Sequence, residues 1–132
     1  MRKLSFALVL LLACDVSAAT YADFLGALKA VESGGQPNAG RDVVADGGRS
    51  IGPLCISKAC WLDSKIPGQW EDCRNLAYAE RVAMAYLARY CPSAVASGDW
   101  QTMARVFNGG PSGARKAATL GYWRRVEAAM NK

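Results

Sequence analysis

The chain has 132 residues, a formal net charge of +5 and 52% hydrophobic residues. This length predicts a single domain, and the basic balance suits an anionic partner such as a cell wall. The charges are spread rather than clustered, so nucleic acid is not expected as a partner. The chain has no histidine, which excludes Ser-His and Cys-His nucleophiles and most catalytic metal sites. Any catalysis must rely on carboxylates, lysines, tyrosines or serines, and no metal or cofactor is expected.

The N-terminal residues have the pattern of an export signal. A basic pair at 2–3 precedes an apolar run at 4–13 and a small-residue cleavage site at 16–19. The apolar run is shorter than the roughly 20 residues that a membrane-spanning helix needs. We therefore predict a signal peptide over residues 1–19 and a mature domain over residues 20–132, exported to the periplasm or secreted.

The cysteines fit the same interpretation. Residues 11–14 resemble a bacterial lipobox that would leave a lipid-bearing Cys14, although Ala18 offers an ordinary cleavage site, which we favour. Without Cys14 an even number of cysteines remains, which predicts two disulfides in an exported domain. These cysteines are Cys55, Cys60, Cys73 and Cys91. Three connectivities are possible, of which we favour Cys60 with Cys73 and Cys55 with Cys91. A zinc site is rejected, since no Cys-x-x-Cys pair occurs.

The first helix is predicted over residues 20–31. Its apolar residues recur at helical spacing, at Tyr21, Phe24, Leu25, Leu28 and Val31. Thr20 and Asp23 give a capping signal, and the glycines at 34–35 would end the helix. Glu32 follows Leu28 by four residues, so its carboxyl should lie on the buried stripe at the end of the helix.

The remaining elements are a hairpin and more helices. A small β-hairpin is predicted over residues 43–51, with its turn at the glycines after Asp46. Ser57 should cap a short helix. The longest helix is predicted over residues 76–90, with an apolar stripe at Ala79, Val82, Ala83, Tyr86, Leu87 and Tyr90. Further helices are predicted over residues 100–107 and 119–130. The fold class is α+β and mostly helical, with four to five helices and one small hairpin.

Glu32 and Asp46 are the candidate catalytic residues. Cleavage of a glycosidic bond uses a protonated acid at the leaving oxygen and, in hydrolases, a second carboxylate. An apolar setting raises the pKa of a carboxyl group, and the predicted position of Glu32 provides one. Periodicity alone would equally allow an ordinary acid at a frayed helix end. The candidates for the second carboxylate are Asp42, Asp46 and, further away, Asp63; we select Asp46, beside the glycines of the hairpin turn, although an Asp-Gly turn would also explain it.

Three further residues are candidates for substrate binding. Ser50 and Asn108 could donate hydrogen bonds to N-acetyl or hydroxyl groups, and turn or helix-cap roles would also explain them. Tyr122 offers an aromatic face that suits a sugar ring, and it also fits the apolar stripe of the last helix.

Five sequence blocks occur in one order along the chain: ESG at 32–34, DGGRSIGP at 46–53, CWLD at 60–63, ARVFNGGP at 104–111 and TLGYW at 119–123. Together they resemble the invertebrate-type lysozymes and their bacterial lysozyme-like relatives over nearly the whole mature chain. The resemblance implies a lysozyme-like fold and cleavage of the β-1,4 bond between N-acetylmuramic acid and N-acetylglucosamine in peptidoglycan. It maps the general acid onto Glu32 and the second carboxylate onto Asp46. Glycan strands are the expected partner of a monomer, with an inhibitor protein or a secretion or conjugation apparatus as further partners.

The chain departs from that family in ways that keep alternatives open. Cys55 stands where the family has glutamine, Phe107 stands where animal members have histidine, and cysteines are fewer. The Glu32-Ser33 pair with Gly52 also resembles soluble lytic transglycosylases, which cut the same bond with one glutamate and leave an anhydro sugar. That alternative is favoured if Asp46 is only a turn residue. A non-catalytic glycan-binding relative is a third alternative.

Overall fold

The computed structural model describes residues 17–132. Most of the predicted signal peptide, including Cys14, lies outside these described residues. Within them the chain forms six α-helices and one three-stranded antiparallel sheet. The helices are α1 (Tyr21–Ser33), α2 (Lys58–Ser64), α3 (Leu76–Tyr90), α4 (Pro92–Ser97), α5 (Trp100–Gly109) and α6 (Leu120–Met130), and the strands are β1 (Val44–Ala45), β2 (Ser50–Ile51) and β3 (Ile56–Ser57). None of these helices combines the length and apolar character that crossing a membrane requires.

Capping side chains explain where the helices begin. At the start of α1, Thr20 Oγ1 accepts from the Asp23 amide at 3.2 Å and Asp23 Oδ2 accepts from the Thr20 amide at 2.8 Å, which completes the predicted capping box. The hydroxyl of Ser57 caps α2 as predicted, and Asn75 caps α3. These bonds satisfy amides that the first turn of a helix leaves without a partner.

The hydrophobic core is arranged around α3. Its predicted stripe is buried, apart from the partly exposed Tyr90. Helix α3 packs against α2 and α5, while α1 packs against α6. The large side chains that fill the core include Phe24, Leu28, Leu54, Ile56, Met103, Val106 and Val126. The packing of α1 on α6 brings residues about 90 positions apart in sequence into contact, and this contact forms part of the site described below.

The sheet and helix count differ in part from the prediction. The hairpin is confirmed, with Ala45 paired to Ser50, but a third strand pairs Ile51 with Ile56. The helices number six rather than four or five within residues 17–132. The sequence pattern did not indicate α4, because a proline directly after a helix is typical of the end of that helix. Proline is favourable in the first turn of a helix, and here it begins the next one.

The predicted disulfides are not observed: within residues 17–132, Cys55, Cys60, Cys73 and Cys91 are free thiols. The Cys55 thiol donates to the backbone carbonyl of Glu32 at 3.6 Å, whereas Cys91 lies at the junction of α3 and α4. Cys60 and Cys73 also remain unpaired. Burial raises the pKa of each of these two thiols to about 12, which keeps them protonated.

Gly52 closes the turn that connects β2 to β3. Its φ is +79°, and a methyl group there would collide with the backbone carbonyl of Cys73. Gly52→Ala should therefore destabilise the fold by about 3 kcal/mol, measured as a lower urea midpoint with an unchanged slope. Gly26→Ala is the matched control: this exposed glycine lies within α1 with open space around it. That change should stabilise the fold by up to about 1 kcal/mol. Equal midpoints for the two variants would contradict this role of Gly52.

Candidate active site

A cleft of about 260 Å³ opens between the end of α1, the hairpin, the start of α2 and the end of α5. Its walls are formed by Glu32, Asp46, Ser50, Cys55, Ile56, Ser57, Cys60, Phe107 and Asn108. The two predicted catalytic carboxylates therefore share one cleft, as do two of the three predicted binding residues. The fold brings these residues together because the end of α1 is hydrogen-bonded to the turn between β2 and β3.

Glu32 lies in the last turn of α1 and is half-buried. Tyr122 Oη donates a hydrogen bond to Glu32 Oε1 at 2.8 Å. Burial raises the pKa of Glu32 above its usual value, and the charge of Asp46 adds to the rise. Hydrogen bonds from Tyr122 and Cys55 act in the opposite direction and do not cancel the effect of burial. The carboxyl thus stays protonated to a higher pH than an exposed glutamate, as a general acid requires.

The end of α1 is fixed to the turn between β2 and β3. The buried Ser33 hydroxyl donates to the carbonyl of Pro53 at 2.7 Å. In the same turn Cys55 has a φ of +48°, which places its thiol beside Glu32. Burial, with the nearby Glu32 carboxylate, raises the pKa of Cys55 to about 12. The thiol is therefore a protonated donor that bonds the backbone carbonyl of Glu32, while Tyr122 bonds its carboxyl group.

Asp46 lies at the start of the hairpin turn and is exposed. Its φ is +55°, a conformation that aspartate tolerates better than most residues. Asp46 Oδ2 accepts a hydrogen bond from Ser50 Oγ at 2.8 Å, and its carbonyl accepts from Arg49 Nε at 2.8 Å. The bond from Ser50 orients the carboxylate in the wall of the cleft and the bond from Arg49 holds the backbone, so Asp46 is more constrained than an ordinary turn residue.

The predicted binding residues occupy different positions. Asn108 is exposed near the end of α5 and lines the cleft. Ser50 also lines it, but it is only 4% exposed and its hydroxyl is bonded to Asp46. Tyr122 is 4% exposed and does not line the cleft, so it offers no face to a sugar; its hydroxyl holds Glu32 instead. The guanidinium of Arg125 lies 5.7 Å from the centre of the Tyr122 ring.

Several residues of the cleft were not predicted as site residues. Cys55 was assigned to a disulfide, while Ser57 was assigned only to a helix cap. Ile56, Cys60 and Phe107 also line the cleft. The sequence did contain one indication that Cys55 belongs to the site. It replaces a family glutamine beside the Gly52 turn, at a position that faces the cleft.

Tyr122→Phe should change the pH dependence of the site. Losing the hydroxyl removes a hydrogen bond that lowers the pKa of Glu32, so this pKa should rise further. Because a general acid must be protonated, the alkaline limb of a pH–activity profile should move to higher pH, and kcat should fall about tenfold as Glu32 loses its orientation. Tyr90→Phe is the control, since that hydroxyl bonds to Asp63 away from the cleft. An alkaline limb that stays in place would show that Tyr122 is only structural.

Several known proteins are similar to this chain in sequence. No protein-family model matches the chain. The chain is 44% identical over 101 residues to Lysozyme 1 of Crassostrea virginica, a match covering 74% of this chain and 53% of that protein. It is 35% identical over 83 residues to a lysozyme of Meretrix lusoria, covering 61% and 68%. It is also 34% identical over 82 residues to invertebrate-type lysozyme 6 of Caenorhabditis elegans, covering 56% and 59%. The chain thus spans about half to two thirds of the length of these curated relatives.

Solved structures give the same picture. Meretrix lusoria lysozyme, in its complex with Aeromonas hydrophila PliI, has a TM-score of 0.66 and 30% identity, covering 85% of this chain and 93% of that one. Tapes japonica lysozyme has a TM-score of 0.67 and 27% identity, covering 80% and 86%. The chain is therefore similar in both sequence and fold to a set of invertebrate lysozymes.

Proposed function

The chain belongs to the invertebrate-type lysozymes, and on this premise we propose that it is a glycoside hydrolase acting on peptidoglycan. The bond cleaved is the β-1,4 bond between N-acetylmuramic acid and N-acetylglucosamine. The single observation that carries this proposal is the half-buried Glu32, whose raised pKa and Tyr122 hydrogen bond are found in the same cleft as an oriented Asp46.

Glu32 is the general acid of the proposed reaction. Its carboxyl gives a proton to the glycosidic oxygen as the bond to the anomeric carbon breaks, and the departing sugar leaves as an alcohol. Tyr122, kept protonated by burial, then donates its hydrogen bond to the carboxylate that has lost its proton, while the Cys55 thiol donates to the backbone carbonyl of the same residue. This support makes the ionised state accessible in a site that otherwise penalises charge.

Asp46 is the second carboxylate of the proposed reaction. Its negative charge stabilises the positive charge that develops on the sugar ring. The carboxylate then acts either as the nucleophile or as the base that takes a proton from water. If an ester to Asp46 forms, water then attacks it while Glu32 takes the proton from that water. Ser50 and Arg49 hold Asp46 for this role through their hydrogen bonds.

The two alternatives are less well supported. A lytic transglycosylase needs no second carboxylate, and an oriented Asp46 in the cleft gives no reason to prefer it. A purely glycan-binding relative needs no carboxyl with a raised pKa, and the site keeps one in Glu32. The substitution of Cys55 for glutamine leaves a hydrogen-bond donor beside Glu32, so it does not argue against catalysis.

Export and an inhibitor partner are further parts of the proposal. Export rests on the basic start and apolar run of residues 1–19. Meretrix lusoria lysozyme is found in complex with Aeromonas hydrophila PliI. A solved structure of a lysozyme from the same species has an inhibitor bound. We propose that this chain is likewise inhibited by a protein that blocks the cleft.

A digest of purified peptidoglycan tests the proposed activity. The mature chain, residues 20–132, should release soluble muropeptides with new reducing ends, counted after borohydride reduction. Addition of a PliI-type inhibitor should suppress the release. A folded protein that binds the insoluble wall but releases nothing would overturn the proposal in favour of the glycan-binding alternative.

A further inference from the structure

A second cavity adjoins the proposed active-site cleft. It has a volume of about 400 Å³ and is lined by Gly48, Arg49, Ser57, Lys58, Ala59 and Trp70. Ser57 belongs to the walls of both cavities, so the second cavity continues the cleft past the end of β3. A polymeric substrate that occupies the cleft can therefore extend a substituent into this space.

One wall of the cavity is apolar and rigid. Trp70 is half-buried, and its indole Nε1 donates to the carbonyl of Ile56 at 3.0 Å, which fixes the plane of the ring. Gly48 and Ala59 add little bulk, so the indole remains accessible from the cavity. A fixed indole beside small residues suits short aliphatic groups such as the methyl groups of alanine.

The other wall is cationic. Lys58 is exposed and makes no hydrogen bond or ion pair with the residues that the structure describes. Arg49 uses Nε to hold the carbonyl of Asp46, and its terminal guanidinium nitrogens have no partner in the described range 17–132. Among residues 17–132, no carboxylate lines this cavity. Two cations with no acid between them fit an anionic ligand.

We propose that this cavity is a subsite for the stem peptide that peptidoglycan carries on its muramic acid residues. The proposal rests on the proposed function of the neighbouring cleft. The stem peptide is short and rich in alanine, and its free carboxylates supply the anion that the cavity lacks. Trp70 receives its methyl groups, while Lys58 and Arg49 bind its carboxylates. The cavity thus selects glycan that carries peptides over bare glycan.

The test compares two forms of one substrate: peptidoglycan strands with their stem peptides, and the same strands after an amidase has removed them. Lys58→Glu should lower kcat/KM on the peptide-bearing strands about tenfold, since it replaces attraction of a carboxylate by repulsion. It should leave kcat/KM on stripped strands within about twofold. Arg81→Glu is the matched control, because this exposed cation on α3 lines neither cavity. It should reproduce any loss caused only by the change in net charge.

The outcomes separate the subsite from the enzyme activity. Equal losses on both substrates would overturn the subsite and assign the cavity to the glycan itself. No loss on either substrate, or the same loss with Arg81→Glu, would also overturn it while leaving the hydrolase intact. A wild-type chain that cleaves neither substrate would instead refute the proposed function.

Discussion

Glu32→Gln should lower kcat on peptidoglycan by about 1,000-fold, the contribution expected of a positioned general acid. Glutamine keeps the size of the side chain and can still accept the hydrogen bond from Tyr122. It carries no proton that it can give to the leaving oxygen. The measurement is the initial rate of reducing-end release, with Glu127→Gln as the control because that glutamate is exposed on α6. A Glu32→Gln variant that retains a tenth of the wild-type rate would refute the assignment.

Although Glu32→Gln should lower the rate, it should raise the free energy of unfolding. Because burial raises the pKa of Glu32 in the folded state, its contribution to stability is fully present below the unfolded pKa and is lost as the pH rises through the folded pKa. Glutamine does not ionise, so it avoids this loss. The difference in unfolding free energy between Glu32→Gln and wild type should therefore grow in favour of the variant as the pH rises from about 4.3, the usual pKa of a glutamate, through the higher pKa of the folded state. A constant difference across this window would contradict the raised pKa.

Asp46→Asn should lower kcat by about 100-fold or more. The change removes the negative charge opposite the developing positive charge of the sugar. Asparagine tolerates the φ of +55° and can accept the hydrogen bond from Ser50, so the turn should keep its shape. Circular dichroism and the urea midpoint should therefore match the wild type. The loss of rate would then belong to the chemistry.

Asp42→Asn is the matched control for Asp46. Asp42 is exposed, accepts a hydrogen bond from Asn38 at 2.7 Å, and does not line the cleft. It should keep the wild-type rate. If Asp46→Asn also keeps that rate, Asp46 is only a turn residue and a one-carboxylate mechanism replaces the proposed one.

The sequence predicted those helices and strands whose signals, such as a capping box or an apolar periodicity, lie within the element itself. The bounds of α3 agree with its apolar periodicity, and α1 begins at the Thr20 capping box. The missed element α4 is a short helix with no long periodic stripe, which proline begins rather than breaks. All three strands have only two residues, too few to show an alternating pattern, and β3 lacks the Asp-Gly turn that indicated the hairpin of β1 and β2.

The sequence predicted the two carboxylates of the site but not the contacts that support them. The position of Glu32 could be predicted from the apolar periodicity, because its place on the buried stripe follows from helix geometry alone. The hydrogen bond from Tyr122 joins residues on two helices far apart in sequence, and it depends on how α6 packs on α1. Cys55 is predicted in a disulfide because an even cysteine count favours disulfides, whereas in the structure the turn after Gly52 directs its thiol to the backbone carbonyl of Glu32.

The most direct measurement is the mass of the products when peptidoglycan is digested in water labelled with oxygen-18. A hydrolase must place one oxygen from water on the new reducing end, so the account predicts muropeptides that each carry one label and disappear with Glu32→Gln. Unlabelled products that are lighter by one water, the anhydro form, would contradict it. They would mean that the hydroxyl of the muramic acid, rather than water, attacks the sugar.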